Sequence, residues 1–246
     1  MKAVSDRSPS DKSVPAATEV RAERGTGLRG TGLRSTGLRA YGGVEGDERI
    51  SRRRETLMDA TLGVLATEGA VTVRGICRAA GLNPRYFYES FESADALVAA
   101  TFDRVIEEIS DAALAAFTTA TGGGVTGKVA GAVTAIVEII DADRRKGKLL
   151  FSPSLLSPIV AAKRSESTGL FAMLTLHTAT DALATEVGAE AIAAAQFQVG
   201  GLGRLLSAWL DGEVPLGRVE VVALSVRLMM SLVGAVTGRD DDMLDR

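Results

Sequence analysis

The stretch VTVRGICRAAGLNPRYFYESF, residues 71–91, contains two short helical segments separated by a glycine. The first segment has apolar residues at the spacing i, i+3, i+4 and i+7: Val73, Ile76, Cys77 and Ala80. This spacing predicts one apolar stripe on a helix. Thr72 precedes the stripe as a suitable N-cap, because its hydroxyl accepts a hydrogen bond from a free backbone N–H. Gly81 follows the stripe, where the left-handed backbone conformation is inexpensive for glycine alone.

The second segment begins with another pair of helix-start signals. Asn83 is an N-cap, and Pro84 takes the first helical position, where its missing N–H costs nothing. Phe87 and Phe91 are spaced i and i+4, so they bury one face of the new helix. A helix, a tight glycine turn and a second helix form the layout of a DNA-binding helix-turn-helix. The second helix is short because it only has to enter a major groove and present a few side chains.

At this point the chain resembles the tetracycline-repressor-type (TetR) transcriptional regulators. The resemblance covers TVRGICRAAGLNPRYFYESFESADAL, residues 72–97, and the preceding helix RRRETLMDATLGVLATEGA, residues 52–70. The matching positions are Thr72, Ile76, Ala79, Gly81, Leu82, Asn83, Phe87, Tyr88, Phe91, Ser93, Asp95 and Leu97. The resemblance implies an all-α fold, with an N-terminal three-helix helix-turn-helix DNA-binding domain followed by a larger helical ligand-binding and dimerisation domain.

The resemblance also implies a DNA-binding set: Thr72, Arg74, Asn83, Arg85, Tyr86, Tyr88, Ser90, Arg52, Arg53 and Arg54. Thr72, Arg74, Tyr88 and Ser90 would contact or orient phosphate. Arg85 and Tyr86 would face base edges, and an arginine there can pair with guanine O6 and N7, worth about 1–3 kcal/mol of discrimination. The alternative for the three arginines at 52–54 is a solvated basic turn. For the two tyrosines the alternative is ordinary packing.

Two positions depart from the family pattern. The family usually has a lysine near the start of the fourth helix, where this chain has Ala94. It often has histidine, tyrosine or asparagine before the aromatic residue matched by Phe91, where this chain has Ser90. Both positions commonly touch backbone phosphate in the family, so their loss predicts a non-specific affinity weaker by about one phosphate contact per subunit.

Residues 1–47 are predicted to form a disordered basic tail. Residues 26–40 repeat a five-residue unit as TGLRG, TGLRS and TGLRA. A five-residue period advances the helical face by about 140° per repeat, so no stripe forms. Residues 1–47 and 48–91 each carry a net charge of +2, whereas residues 92–246 carry −7. This asymmetry favours contact between the N-terminal part and phosphate, and a basic arm on DNA is the alternative for the tail.

The rest of the chain is predicted to be helical, with glycine and proline at the breaks. The domain boundaries follow as 48–93 for the helix-turn-helix, 94–238 for the larger domain and 239–246 for a C-terminal tail. The predicted helices are approximately Ser51–Glu68, Ala94–Thr119, Val125–Ala142, Ser157–Val187, Glu190–Asp211 and Leu216–Thr237.

The larger domain is expected to bind a small, partly apolar ligand and a second copy of the chain. The candidate pocket residues are Phe151, Leu155, Phe171, Leu174 and His177. Plain core packing is the alternative for each of them. The last two predicted helices are apolar beyond a single stripe, which favours burial against another subunit. The candidate interface residues, with internal packing as the alternative, are Phe197, Gly201, Leu205, Trp209, Val222, Leu228 and Met229.

Other classes of function have little support. No apolar run is long enough for a membrane span, no secretory leader is evident, and the single cysteine, Cys77, fits a reducing compartment such as the cytoplasm. TGGGVTGK, residues 121–128, has the wrong spacing for a phosphate loop, and His177 is the only histidine. We therefore expect no enzyme, cofactor or metal, but a ligand-responsive repressor that binds a near-palindromic operator as a homodimer. The rivals are a ligand-binding or scaffolding helical dimer that has lost operator binding, and an all-helical enzyme.

Overall fold

The computed structural model describes the backbone of residues 38–67, 69–183 and 188–237. Side chains are described for residues 46–67, 69–178 and 188–235. The contacts below all lie among the described residues of 42–246. The predicted C-terminal tail and most of the arginine repeat lie outside the described residues.

All regular structure in the described residues is helical, which confirms the predicted all-α fold. The elements are α1 (Leu38–Ala66), α2 (Val73–Ala80), α3 (Pro84–Tyr88), α4 (Ala94–Thr119), α5 (Gly124–Ala142), α6 (Arg144–Phe151), α7 (Pro158–Leu183), α8 (Ala189–Leu210) and α9 (Arg218–Thr237).

Helix α2 begins and ends, and α3 begins, where the sequence predicts, but α3 ends at Tyr88, so Phe91 lies beyond the helix on which it was predicted. The Thr72 hydroxyl accepts a 3.1 Å hydrogen bond from the Gly75 N–H and so caps α2. Gly81 ends α2 in the left-handed conformation, with φ of 66°. The Asn83 side chain accepts a 2.9 Å bond from the Arg85 N–H and caps α3.

Helix α1 begins earlier than predicted. It starts at Leu38, so residues 38–47, which the sequence assigns to the tail, are helical. Glycines 42, 43 and 46 argue against this extension, since each costs about 1 kcal/mol relative to alanine. A helix that is already nucleated nevertheless extends by one hydrogen bond per added residue, and the packed part of α1 supplies that nucleus.

Helix α6 is absent from the sequence prediction. It contains only 8 residues, RRKGKLLF, with too few turns for a periodic stripe. The Asp143 side chain caps it by accepting a 3.1 Å bond from the Arg145 N–H. Aspartate is a common N-cap residue, so Asp143 was the one signal in the sequence that could have indicated the start of α6.

A first buried cluster holds the helix-turn-helix together. It joins α1, α2, α3 and the start of α4, and consists of Leu57, Met58, Ile76, Cys77, Phe87, Phe91 and Leu97. Full burial of one such large side chain contributes about 1.5–3 kcal/mol. The cluster therefore fixes α3 from behind, even though α3 itself is only 5 residues long.

A second, larger cluster lies among α4 to α9 and the end of α1. Helix α1 contributes Leu62 and Leu65, and α4 contributes Val98 and Phe102. Both helices thus belong to both clusters. Helix α4 therefore packs both within the larger domain and behind α3.

Helix α6 is packed closely against its neighbours. A Cβ added to Gly147 would lie 2.3 Å from Leu210 Cδ1 and 2.8 Å from Ile140 Cγ2, so any larger residue would force these side chains to shift. Ion pairs connect α6 to the helices that reach the helix-turn-helix. Arg145 Nη2 lies 3.0 Å from Asp59 Oδ1 on α1, and Lys146 Nζ lies 2.5 Å from Glu108 Oε1 on α4.

Candidate DNA-binding surface

Helix α3 has one buried face and one exposed face. Phe87 is fully buried, and its ring lies 6.3 Å from that of Phe91, measured between centroids. The Arg85 side chain, by contrast, is 82% exposed. Tyr88 is 65% exposed. This separation leaves a polar, positively charged face directed away from the protein's own core.

Two arginines of α1 hold α3 from one side. The Arg53 guanidinium lies 4.0 Å over the Tyr86 ring and donates a 3.1 Å hydrogen bond to Glu89 Oε2. The Arg54 guanidinium lies 4.2 Å over the Phe91 ring and donates to the Ser90 carbonyl. Contacts between cations and aromatic faces are stronger when they are partly desolvated. Arg53 and Arg54 are therefore packed against the α3 region rather than fully solvated, and their contact with DNA stays a prediction.

Arg52 differs from its two neighbours. Its side chain is 80% exposed and forms only a 3.6 Å ion pair with Glu48 on the same helix. Exposed pairs of this kind contribute about 0.2–1 kcal/mol and exchange partners easily. The charge of Arg52 is therefore exposed, and its contact with DNA stays a prediction.

Glu89 is absent from the residues predicted to bind DNA, but it connects two of these arginines. Its Oε1 accepts a 3.0 Å hydrogen bond from Arg85 Nε, and its Oε2 accepts the bond from Arg53. One carboxylate therefore joins the predicted base-reading arginine of α3 to α1. The i and i+4 spacing of Arg85 and Glu89 was a readable signal. The pairing with Arg53, 36 positions away, was not.

The other predicted contact residues fall into two groups. Thr72 and Asn83 use their side-chain oxygens as helix caps, although the Thr72 hydroxyl keeps its proton for donation to a phosphate. Ser90 donates its hydroxyl to the Tyr86 carbonyl at 2.9 Å. This internal bond makes Ser90 a poorer phosphate donor than the resemblance implies.

Helix α2 presents two arginines to solvent. Arg74 and Arg78 are both exposed and are spaced i and i+4, so they lie on the same face. Helix α2 contains no acidic residue. Arg78 was missed by the sequence analysis, and its spacing from Arg74 was the signal that identifies it.

A small cleft opens in the larger domain between α4, α5, α7, α8 and α9. Its volume is about 40 Å³. The lining is mostly apolar and consists of Phe117, Val125, Val129, Thr175, Thr178, Gln198, Met229, Met230 and Val233. The buried Gln198 donates a 2.9 Å hydrogen bond to the Met229 carbonyl across the cleft wall.

The five predicted pocket residues do not line this cleft. Phe151, Leu155 and Phe171 pack against the larger buried cluster. Leu174 and His177 are exposed. Their role in ligand binding stays a prediction.

The predicted subunit interface is divided between an outer face and the core. Phe197 is 68% exposed and Leu228 is 53% exposed, and Gly201 is also on the outer face. Leu205, Val222 and Met229 pack in part against the larger cluster. Trp209 is buried within the protomer, where its indole N–H donates a 2.8 Å bond to the Leu216 carbonyl, and its place in the interface stays a prediction.

The described ranges contain no candidate for a membrane-spanning helix or a metal site. No helix there is long and apolar enough to cross a bilayer. No group of three or more metal-ligating side chains comes together there.

The fold and this surface define a helical protein with an N-terminal helix-turn-helix and a larger helical domain. No family model matches the sequence, and no curated protein sequence matches it. Among solved structures, a TetR-family transcriptional regulator from Streptomyces coelicolor is 18% identical with a TM-score of 0.58, covering 78% of this chain and 84% of that chain. The chain thus has the fold of the TetR-type regulators, as the motif at residues 72–97 predicts.

Two further solved structures with the same fold are regulators named FadR. The fatty acid degradation regulator FadR from Bacillus halodurans is 17% identical with a TM-score of 0.58, covering 72% of this chain and 94% of that chain. The transcriptional regulator FadR from Bacillus subtilis, solved in complex with stearoyl-CoA, is 16% identical with a TM-score of 0.55, covering 73% and 97%.

Proposed function

We propose that this protein is a cytoplasmic transcriptional repressor that binds a near-palindromic DNA operator as a homodimer and releases it in response to a small ligand. The observation that carries the proposal is the two-sided character of α3. Its back is fixed by the fully buried Phe87, while Arg85 and Tyr88 are exposed. Such a helix is suited to a major groove, because its orientation is set before DNA arrives.

The proposed contacts divide by type. Arg85 and Tyr86 face base edges, and an arginine paired with guanine O6 and N7 carries about 1–3 kcal/mol of discrimination. Thr72, Arg74, Arg78 and the other exposed basic groups contact phosphate, which positions the protein without reading sequence.

We propose the outer face of α8 and α9 as the homodimer interface. This face exposes Phe197 and Leu228, together with the small residues Gly201 and Ala223. Small residues let two helices approach closely, and the exposed apolar side chains would be removed from water. A two-fold axis there would place two copies of α3 in successive major grooves, roughly 34–36 Å apart.

The ligand is proposed to be small and partly apolar and to act through α4. The cleft's volume of about 40 Å³ is far below the roughly 300–1,000 Å³ of typical small-molecule pockets. A larger ligand can therefore enter the cleft only if its helices separate. Since α4 lines the cleft through Phe117 and packs behind α3 through Leu97, separation would alter the spacing of the two α3 helices.

The test begins with full-length protein and a library of random-sequence duplexes. Repeated capture and amplification should enrich a site with two related half-sites about one helical turn apart. A gel-shift titration of that site should then show affinity that falls steeply as salt rises. Failure to enrich any sequence would refute operator binding, and a single half-site would refute the dimer.

One observation favours a second candidate, a ligand-binding or scaffolding helical dimer without operator binding. Ser90 uses its hydroxyl within α3, and Ala94 has no charge to offer a phosphate. The same salt titration separates the two functions. The second candidate predicts no duplex binding at low salt, whereas the regulator predicts binding that weakens linearly in log affinity against log salt.

A further inference from the structure

Glu89 occupies an unusual position for a carboxylate on a surface proposed to face DNA. It lies at the end of α3, immediately after Tyr88, and both of its oxygens are engaged by arginines. Arg85 approaches it along α3 at 3.0 Å, and Arg53 approaches it from α1 at 3.1 Å. Two positive charges therefore share one negative charge, so the group as a whole stays cationic.

The bond to Glu89 restricts the Arg85 side chain. An exposed arginine is otherwise free to sample many rotamers, and fixing it during binding has an entropic cost. Glu89 engages Nε, which leaves the two terminal Nη groups as the edge available to a base. That edge can form the paired hydrogen bonds to guanine O6 and N7.

An isolated ion pair at i and i+4 on an exposed helix would be too weak for this task. Here Glu89 is itself held from behind. Arg53 is only 27% exposed and is stacked over the Tyr86 ring at 4.0 Å, so its position is fixed by packing. Arg53 on α1 thus holds the Glu89 carboxylate in place, and Glu89 in turn holds the Arg85 side chain.

We propose that Glu89 is a specificity-determining positioning residue, which fixes Arg85 for recognition of one guanine in each half-site. This inference rests on the proposed operator binding. Glu89 does not touch the base. It raises the preference for guanine through Arg85, and its negative charge lowers attraction to phosphate in general.

The test compares four full-length proteins on the same random duplex library: wild type, Glu89→Gln, Arg85→Ala and the control Glu166→Gln. The control makes the same chemical change in an exposed i and i+3 ion pair on α7, far along the chain from α3. The measured quantities are the base preference at every position of the enriched site and the affinity for a scrambled duplex.

We expect the variants to change the base preference at only one position of the enriched DNA site, the guanine read by Arg85. Arg85→Ala should abolish the guanine preference, and Glu89→Gln should reduce it about fivefold or more while the other positions keep theirs. Affinity of Glu89→Gln for the scrambled duplex should stay equal or rise, because a negative charge is removed. Glu166→Gln should reproduce the wild-type site.

Three results would overturn the inference. An unchanged site for Glu89→Gln would show that Arg85 needs no support. A parallel fall at all positions, with a lower melting temperature, would make Glu89 merely structural. A wild-type protein that enriches no sequence would remove the proposed function itself, a failure that is visible before any variant is compared.

A second variant tests the source of the support. Arg53→Gln keeps the pair between Arg85 and Glu89 but removes the bond from α1 and the stacking on Tyr86. We expect the same guanine position to lose preference. If it does not, the support from α1 is refuted.

Discussion

Replacement of Phe87 tests how α3 is held. Phe87 is the buried residue of a helix with 5 residues, and it is fully inaccessible to solvent. Phe87→Ala removes most of a buried aromatic side chain and leaves a cavity, which costs about 3–5 kcal/mol in free energy of unfolding. If that loss falls on the docking of α3, the ratio of docked to undocked helix decreases by roughly 10²- to 4 × 10³-fold, because each 1.4 kcal/mol is a factor of about ten.

The assay combines urea unfolding, followed by circular dichroism, with titration of an enriched operator. The larger cluster is untouched, so most of the helical signal should survive at low urea while operator affinity falls by at least about tenfold. Tyr88→Ala is the stability control, because Tyr88 is 65% exposed and its loss should change the free energy of unfolding by no more than about 0.5 kcal/mol. An operator affinity for Phe87→Ala equal to that of the wild type would refute the claim that Phe87 holds α3.

Three further predictions concern stability and reactivity. Gly147→Ala should lower the free energy of unfolding by about 1–3 kcal/mol in a urea titration, because the new methyl group overlaps side chains of α5 and α8. The control Gly169→Ala, which has open space around its Cβ, should instead stabilise α7 by about 0.5–1 kcal/mol. The Arg145 hydrogen bond lowers the pKa of Asp143, so the stability that its charge provides is complete above the unfolded pKa of about 4 and is lost as pH falls through the lower folded pKa. The difference in free energy of unfolding between wild type and Asp143→Asn should therefore disappear at acid pH. Asp143→Ala should be about 1 kcal/mol less stable than Asp143→Asn, because it also lacks the helix cap. A difference between wild type and Asp143→Asn that does not change with pH would contradict this prediction. Burial raises the pKa of the Cys77 thiol, so iodoacetamide should label it much more slowly in the native protein than in urea, and equal rates would show that Cys77 is exposed.

The helix-turn-helix was predictable because its signals are local. Thr72, Gly81 and Asn83 each act within three residues of their own position, as a cap or as a left-handed turn. A residue that acts locally can be read from sequence regardless of the rest of the fold. These three assignments are confirmed, and they are the ones on which the family resemblance also depends.

The contacts that support α3 were not predictable from the same stretch. Arg53 and Arg54 meet α3 across 36 residues of chain, and only the packing of α1 against α3 brings them together. A basic run on a helix usually indicates a solvated face, which is why the arginines were assigned to solvent or to DNA.

The larger domain shows a different limit. Helices α8 and α9 are apolar on more than one face, and periodicity does not reveal which apolar side chains the protomer uses for itself. Trp209 turned out to be internal, whereas Phe197 is exposed. Helix α6 was missed because eight residues with a central glycine give no period to detect.

The central claim is that the exposed face of α3 reads a DNA sequence. The most direct measurement is the operator affinity of the double variant Arg85→Ala, Tyr86→Ala against wild type, across a range of salt concentrations. We predict that the variant binds operator and scrambled duplex equally, with a salt dependence changed by no more than about one phosphate contact per subunit. If the variant still prefers the operator as strongly as the wild type does, α3 does not read the sequence and the account is wrong.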